Sequence, residues 1–124
     1  MTRTKRAAMV LGSAAAGLLL FTASQARADA AAEAKEIFST RCSTCHGPQG
    51  KGDGPAGAAL NPKPRNLGEA AWQKSVTDDH IEKIIVGGGT AVGKSAMMPP
   101  NPDLASKPDV VKALTAQIRG LGGK

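Results

Sequence analysis

Apolar positions recur at helical spacing in three stretches of the chain. From about Ala30 to Arg41 the sequence is Ala-rich, with Ala34, Ile37 and Phe38 on one face, which predicts a helix running directly into Cys42. A second helix is predicted after Thr77, a side chain suited to capping, with Asp78 and Asp79 in the electropositive first turn. Ile81, Ile84 and Ile85 follow at i, i+3, i+4 spacing, and Gly87 ends the segment. The third begins at Ser106-x-x-Asp109, which resembles a capping box, with Pro108 in its first turn. Val111, Leu114, Ile118 and Leu121 then form a narrow stripe suited to packing on another helix, and Gly120, Gly122 and Gly123 close the chain. No period-two alternation and no internal repeat stands out, so the pattern predicts an all-α domain.

A Gly- and Pro-rich loop, from Gly47 to about Pro64, separates the first two helices. Gly47, Gly50, Gly52, Gly54 and Gly57 allow tight turns against a bound group, and Pro55, Pro62 and Pro64 stiffen the path. Any one of these glycines is equally compatible with an ordinary surface loop.

The start of the chain follows a different logic. Arg3, Lys5 and Arg6 form a basic segment, Met9 to Ala23 an apolar one, and Ala26-Arg27-Ala28 an A-x-A site, the order of a secretion leader. The expected division is a cleaved leader over residues 1–28 and one domain over 29–124. An uncleaved membrane anchor is the alternative, although the apolar core is short and rich in Ala and Gly. The full sequence carries 16 Lys and Arg against 10 Asp and Glu, formally +6. Arg3, Lys5, Arg6 and Arg27 all belong to the leader, which contains no acid, so residues 29–124 keep only +2. The basic balance of the whole chain therefore gives no argument for nucleic acid as a partner.

Beyond the leader the large apolar residues are sparse. Leu, Ile, Val and Phe make up 16 of the 96 residues from Asp29 onward, and Phe38 and Trp72 are the aromatics there. A domain of this size and composition needs a staple or a cofactor to complete its core.

Cys42-Ser43-Thr44-Cys45-His46 names that cofactor, because C-x-x-C-H is the attachment signature of a c-type haem. On a helix the three residues share one face. Both thiols can then add across the haem vinyl groups as thioethers, and the His46 imidazole falls beneath the iron. A closed zinc site needs four nitrogen or sulfur ligands, and His80 is the remaining candidate, far from the expected spacing. A thioredoxin-like dithiol belongs in a βαβ setting that the sequence does not present. One such motif implies one covalent haem per chain. Its attachment is completed outside the cytoplasm, the compartment to which the leader directs the chain; the periplasm is the expected location. A ligating histidine usually donates its other ring N–H to a fixed acceptor, and Asn61-Pro62-Lys63-Pro64 is positioned to offer a backbone carbonyl. Pro62 and Pro64 are therefore candidate cofactor-side residues.

An iron that cycles electrons without meeting substrate needs a ligand on its second face. Met97 and Met98 follow a Gly-rich stretch and precede Pro99-Pro100, where no helix can claim them. A thioether is a soft donor that favours ferrous iron. His80 is the rival, expected instead to sit solvated near Asp79 on the second helix. Gly88-Gly89-Thr90-Ala91-Val92-Gly93-Lys94-Ser95 also satisfies G-x-x-x-x-G-K-[ST], the pattern of a phosphate-binding loop. That chemistry requires a helix starting at Lys94-Ser95, which Pro99 and Pro100 would halt within about one turn. No nucleotide is expected.

From about Ala32 to Leu121 the chain resembles the class I cytochrome c family. The matching residues are Cys42-Ser43-Thr44-Cys45-His46-Gly47, the loop ending in Pro64-Arg65-Asn66-Leu67, the Ser95-Ala96-Met97-Met98-Pro99 step, and the Ala113 to Leu121 helix. The resemblance implies three main helices and Gly/Pro-rich loops wrapped around one covalently bound haem. It implies His46 and Met98 as axial ligands, since the family's methionine directly precedes proline, and it makes Trp72 a candidate for contact with a haem propionate, with core packing as the alternative. Two positions depart from the family: Ala34 stands where a glycine usually lets the first helix cross the last, and the last helix lacks the usual aromatic near Gln117. The implied function is that of an exported electron carrier, not an enzyme, docking briefly with redox proteins through an exposed haem edge. Lys51, Lys63, Lys74 and Lys94 are candidates for a rim that steers acidic partners. The alternatives are a haem subunit fixed in a larger exported oxidoreductase, or a gas sensor whose Met98 bond yields.

Overall fold

The first helix begins well before the apolar pattern places it. A computed structural model describes residues 14–123, with side-chain environments from Phe21 onward. Arg3, Lys5, Arg6 and the start of the apolar run at Met9 lie outside the described residues. Helix α1 spans Ala14–Ile37. Nothing interrupts it, because the sequence from Leu18 to His46 contains neither Gly nor Pro and is rich in Ala, the strongest helix former. It passes through Ala26-Arg27-Ala28 without a break, and residues 21–29 on it are exposed. Among the described residues no helix is long and apolar enough to cross a membrane.

The sequence predicts a uniform helix up to Cys42, and the structure corrects this. Phe38–Cys42 forms a wider π-helical turn before the chain tightens again into α2, Ser43–His46. The local cause is a run of hydroxyls. Ser39 Oγ and Thr40 Oγ1 both donate to the Glu36 carbonyl, at 2.9 and 2.8 Å, and Ser43 Oγ donates to the Ser39 carbonyl at 2.5 Å. Side chains that bond back to the preceding turn compete with the backbone ladder and bend it.

Helices α3, Ala70–Ser75, α4, Asp78–Gly87, and α5, Pro108–Leu121, complete the set, with 3-10 turns at Gly89–Val92 and Pro102–Ser106. The bounds of α4 match the sequence reading, and Thr77 Oγ1 accepts the His80 backbone N–H at 3.2 Å as its cap. The start of α5 does not match. Ser106 belongs to the preceding 3-10 turn, where its hydroxyl donates to the Asp103 carbonyl at 3.1 Å, and Lys107 occupies the cap position without a side-chain cap bond. No capping box forms. The sequence gives no warning of α3, a helix too short to show periodicity; it follows a turn in which Asn66 Oδ1 accepts the Gly68 N–H at 3.0 Å.

Helices α1 and α5 pack as the principal pair, and α4 and the Pro102–Ser106 turn close one side. The core is built from Ala34, Ile37 and Phe38 of α1, Ile81 and Ile85 of α4, Leu104, and Val110, Val111, Leu114 and Ile118 of α5, with Leu67 from the loop. Burying an aliphatic side chain contributes roughly 1.5–3 kcal/mol. Ala34 is 1% exposed, so the family's glycine position carries a methyl group that the fold accommodates. Gln117 is half-buried, and its Oε1 has no hydrogen-bond partner among the described residues. Arg119 ties the end of α5 to α3 and α4, donating to the Gln73 and Val76 carbonyls at 2.6 and 2.7 Å and to Asp78 Oδ1 at 2.8 Å.

Candidate functional site

Cys42 ends the π-helical turn, and Cys45 and His46 follow in α2 with helical backbone between them, so all three share one helix face. All three are half-buried. Burial pushes the Cys42 thiol above its ordinary pKa; the neighbouring Arg41 charge pulls it back, and Cys45 raises it further. Burial also lowers the pKa of His46, partly offset by its bond to the Arg65 carbonyl. Burial thus favours the neutral imidazole, the state in which it can bind a metal.

The orientation of His46 follows from its partner. Nδ1 lies 2.9 Å from the Arg65 carbonyl oxygen, which can only accept, so Nδ1 carries the proton and Nε2 keeps a free lone pair. The acceptor lies one residue beyond the Asn61–Pro64 segment that the sequence singled out. Arg65 is itself steadied by Glu69, 2.9 Å away across an i,i+4 ion pair.

The Gly-rich loop does its work against the protein's own backbone. The N–H groups of Ala56, Gly54 and Gly52 donate to the carbonyls of Thr44, Cys45 and His46 at 3.0, 3.0 and 2.7 Å. Carbonyls at a helix end have no partner within the helix, and here the loop satisfies three in succession. Gly54 is required by proximity, because a Cβ there would lie 2.5 Å from the carbonyl oxygens of Ser43 and Thr44. The sequence alone attributes these turns to a bound group; in the structure they hold the helix end that carries Cys45 and His46.

Pro64 belongs to this assembly: a Cβ on Gly57 would stand 2.7 Å from its Cγ, and it immediately precedes the Arg65 carbonyl. Pro62 is exposed, after a cis peptide bond from Asn61. Trp72 is half-buried on α3 and packs against the core cluster. His80 is half-buried on α4.

Met98 lies on a separate segment. It is half-buried and its carbonyl accepts the Gly89 N–H at 3.0 Å, whereas Met97 is 58% exposed. The chain at Gly89–Val92 is a 3-10 turn, Gly93 is left-handed, and the Lys94 N–H returns to the Gly89 carbonyl at 2.7 Å. The helix that a phosphate loop needs does not start at Lys94-Ser95. These glycines instead seat the Met98 segment, a role their pattern alone does not reveal. Asn101, just past the two prolines, fixes the other end by donating from Nδ2 to the Ile85 carbonyl at 2.8 Å and from its backbone N–H to Val86 at 3.0 Å.

Two thiols and a neutral imidazole on one helix face, with the imidazole's second nitrogen already committed, form a donor set that fits a covalently attached haem. Comparisons with known proteins agree. The cytochrome c family model matches residues 31–122. The chain is 34% identical over 95 residues to the cbb3-type cytochrome c oxidase subunit FixP of Azorhizobium caulinodans. That alignment covers 76% of this chain and 28% of the relative. No solved structure matches.

Proposed function

The chain belongs to the cytochrome c family, with haem c covalently bound for electron transfer, and from that premise we propose that it is an exported carrier whose iron is held between His46 and Met98. When bound, the haem supplies an iron that takes up and releases one electron at a time. Cys42 and Cys45 anchor it as thioethers. His46 presents Nε2 to the metal while Arg65, through its carbonyl, fixes the plane of the ring. Met98 presents a soft thioether from a segment stiffened by Pro99 and Pro100 and braced by Gly89 and Asn101. Export rests on the leader over residues 1–28, whose removal after Ala28 leaves the domain over 29–124 in the periplasm. Its partners are then other exported redox proteins.

The observation that carries this reading is the His46 Nδ1 to Arg65 carbonyl bond of 2.9 Å, which commits one ring nitrogen and frees the other for the metal. The likeness to an oxidase subunit, of which this chain spans 28%, favours a second reading as a haem subunit of a larger exported oxidoreductase. A visible spectrum of the purified protein, reduced with and without carbon monoxide, separates these from a gas sensor. A low-spin spectrum indifferent to the gas supports the His46/Met98 pair. A large shift on adding the gas overturns it and favours the sensor. Size analysis of the protein from its native membrane and soluble fractions then distinguishes a free carrier from a subunit.

A further inference from the structure

Arg41 directly precedes Cys42, yet its side chain reaches a distant part of the sequence. Nη1 donates to both carboxylate oxygens of Asp103 at 3.0 Å and to Asn101 Oδ1 at 3.3 Å. These partners follow immediately after Met98-Pro99-Pro100. Asn101 is in turn bonded to the Ile85 and Val86 carbonyls near the end of α4. One guanidinium therefore joins the helix that carries the cysteines to the segment that carries Met98, and the two prolines between Met98 and Asn101 leave little slack in that connection.

We propose that Arg41 is a positioning residue for Met98: a latch that holds the Met98–Asp103 segment against the cysteine helix and opposes departure of the methionine from iron. The inference rests on Met98 being the ligand. Methionine sulfur is a weak donor, so a modest restraint on its segment shifts the balance between bound and released forms. The pair is exposed, with Arg41 and Asp103 side chains 44% and 51% accessible. Exposed pairs change an equilibrium by a factor of about 1.4 to 5, and salt screens them.

Imidazole competes for the position that methionine vacates, so its affinity for the ferric holoprotein reads the latch. Arg41→Gln should bind imidazole about 2 to 5 times more tightly than wild type at low salt. Asp103→Asn, which leaves the Arg41–Asn101 bond in place, should act in the same direction, and the double variant should show less than the sum of the two, because the Arg41–Asp103 contact is common to both. Arg41→Lys, which retains the charge, should restore most of the wild-type value. High salt should bring wild type and Arg41→Gln together. In a Met98→Ala background, with no methionine to release, Arg41→Gln should have no effect. Unchanged affinity in Arg41→Gln at low salt, or an equal change in the Met98→Ala background, overturns the latch while leaving the ligand assignment intact. If Met98→Ala itself leaves the spectrum and imidazole affinity unaltered, the ligand assignment fails and the latch fails with it.

Discussion

The backbone N–H of Gly89 donates to the carbonyl oxygen of Met98 at 3.0 Å. Beside it Gly88 is buried with φ of 74°, and a Cβ there would lie 2.8 Å from the Pro100 nitrogen and 2.9 Å from the Met98 oxygen. The run from Gly88 to Ser95 that mimics a phosphate loop is thus a backbone platform under the Met98 segment.

Gly88→Ala should destabilise the protein by about 1–3 kcal/mol from its backbone alone, because φ of 74° with ψ of −179° is a conformation open essentially only to glycine, and further through the collision with Met98 and Pro100. Gly93 lies instead in the left-handed helical region, φ of 69° and ψ of 28°, where alanine costs only about 1–2 kcal/mol, and a Cβ there meets nothing within 4 Å. Gly93→Ala should therefore incur only the backbone cost. Thermal unfolding measures both, and Gly88→Ala alone should weaken the red absorption of methionine-ligated ferric iron. Equal losses in the two variants would refute the platform.

The two adjacent methionines should behave differently. Met98→Ala should abolish that red absorption and lower the reduction potential markedly, because the sulfur that favours ferrous iron is gone. Met97, 58% exposed, should tolerate alanine with little change in stability or spectrum. Spectroelectrochemistry of both variants checks the assignment, and the reverse result would transfer the ligand role to Met97.

The bounds of α4, the apolar faces of α1 and α5 and the attachment motif were legible in the sequence because each rests on local rules. Thr77, the isoleucine spacing and Gly87 define α4, and Cys42, Cys45 and His46 need only helical geometry to meet. What sequence did not yield depends on long-range geometry. Arg65 serves His46 through a backbone carbonyl, which carries no mark of residue type. The Ser106-x-x-Asp109 pattern fails as a cap because the neighbouring turn claims Ser106. Arg41 lies 60 and 62 residues from Asn101 and Asp103, a pairing that no periodicity encodes.

Loss of the attachment thiols should be more damaging than any single core change. Among the described residues the largest fully buried side chains are Ile81, Leu104 and Leu114, a small set for a domain of this length. Cys42→Ala with Cys45→Ala should leave the chain largely unfolded and rapidly degraded, since a ligand bound only by the native state is a source of stability. Circular dichroism and pulse-chase measurements test this; a stable, helical, haem-free monomer would contradict it.

Arg119 offers a test remote from the iron. Its guanidinium is shared among two backbone carbonyls, Asp78 and Gln73 Oε1, with the side chain 28% exposed. Each hydrogen bond involving a charged group contributes about 1.5–3 kcal/mol, so Arg119→Ala should lose at least that amount in denaturant unfolding. Arg119→Lys should recover little, because an ammonium cannot span the same fork. Full recovery by lysine would show that charge alone matters there.

If His46 and Met98 hold the iron as proposed, it would offer no open position in either oxidation state, and electrons would pass through the cofactor edge without substrate reaching the metal. The purified protein should be reduced and reoxidised rapidly by exported redox proteins while turning over peroxide negligibly. Lys51, Lys63, Lys74 and Lys94 are exposed and take part in none of the four ion pairs found among the described residues, leaving their charge available to a partner. If they steer docking, the bimolecular reduction rate with an acidic partner should fall as salt rises, and replacing them with glutamine should flatten that dependence. Sustained peroxide turnover with the methionine signature intact at rest would defeat the carrier reading, because substrate would then be reaching an iron that the His46/Met98 pair should close off.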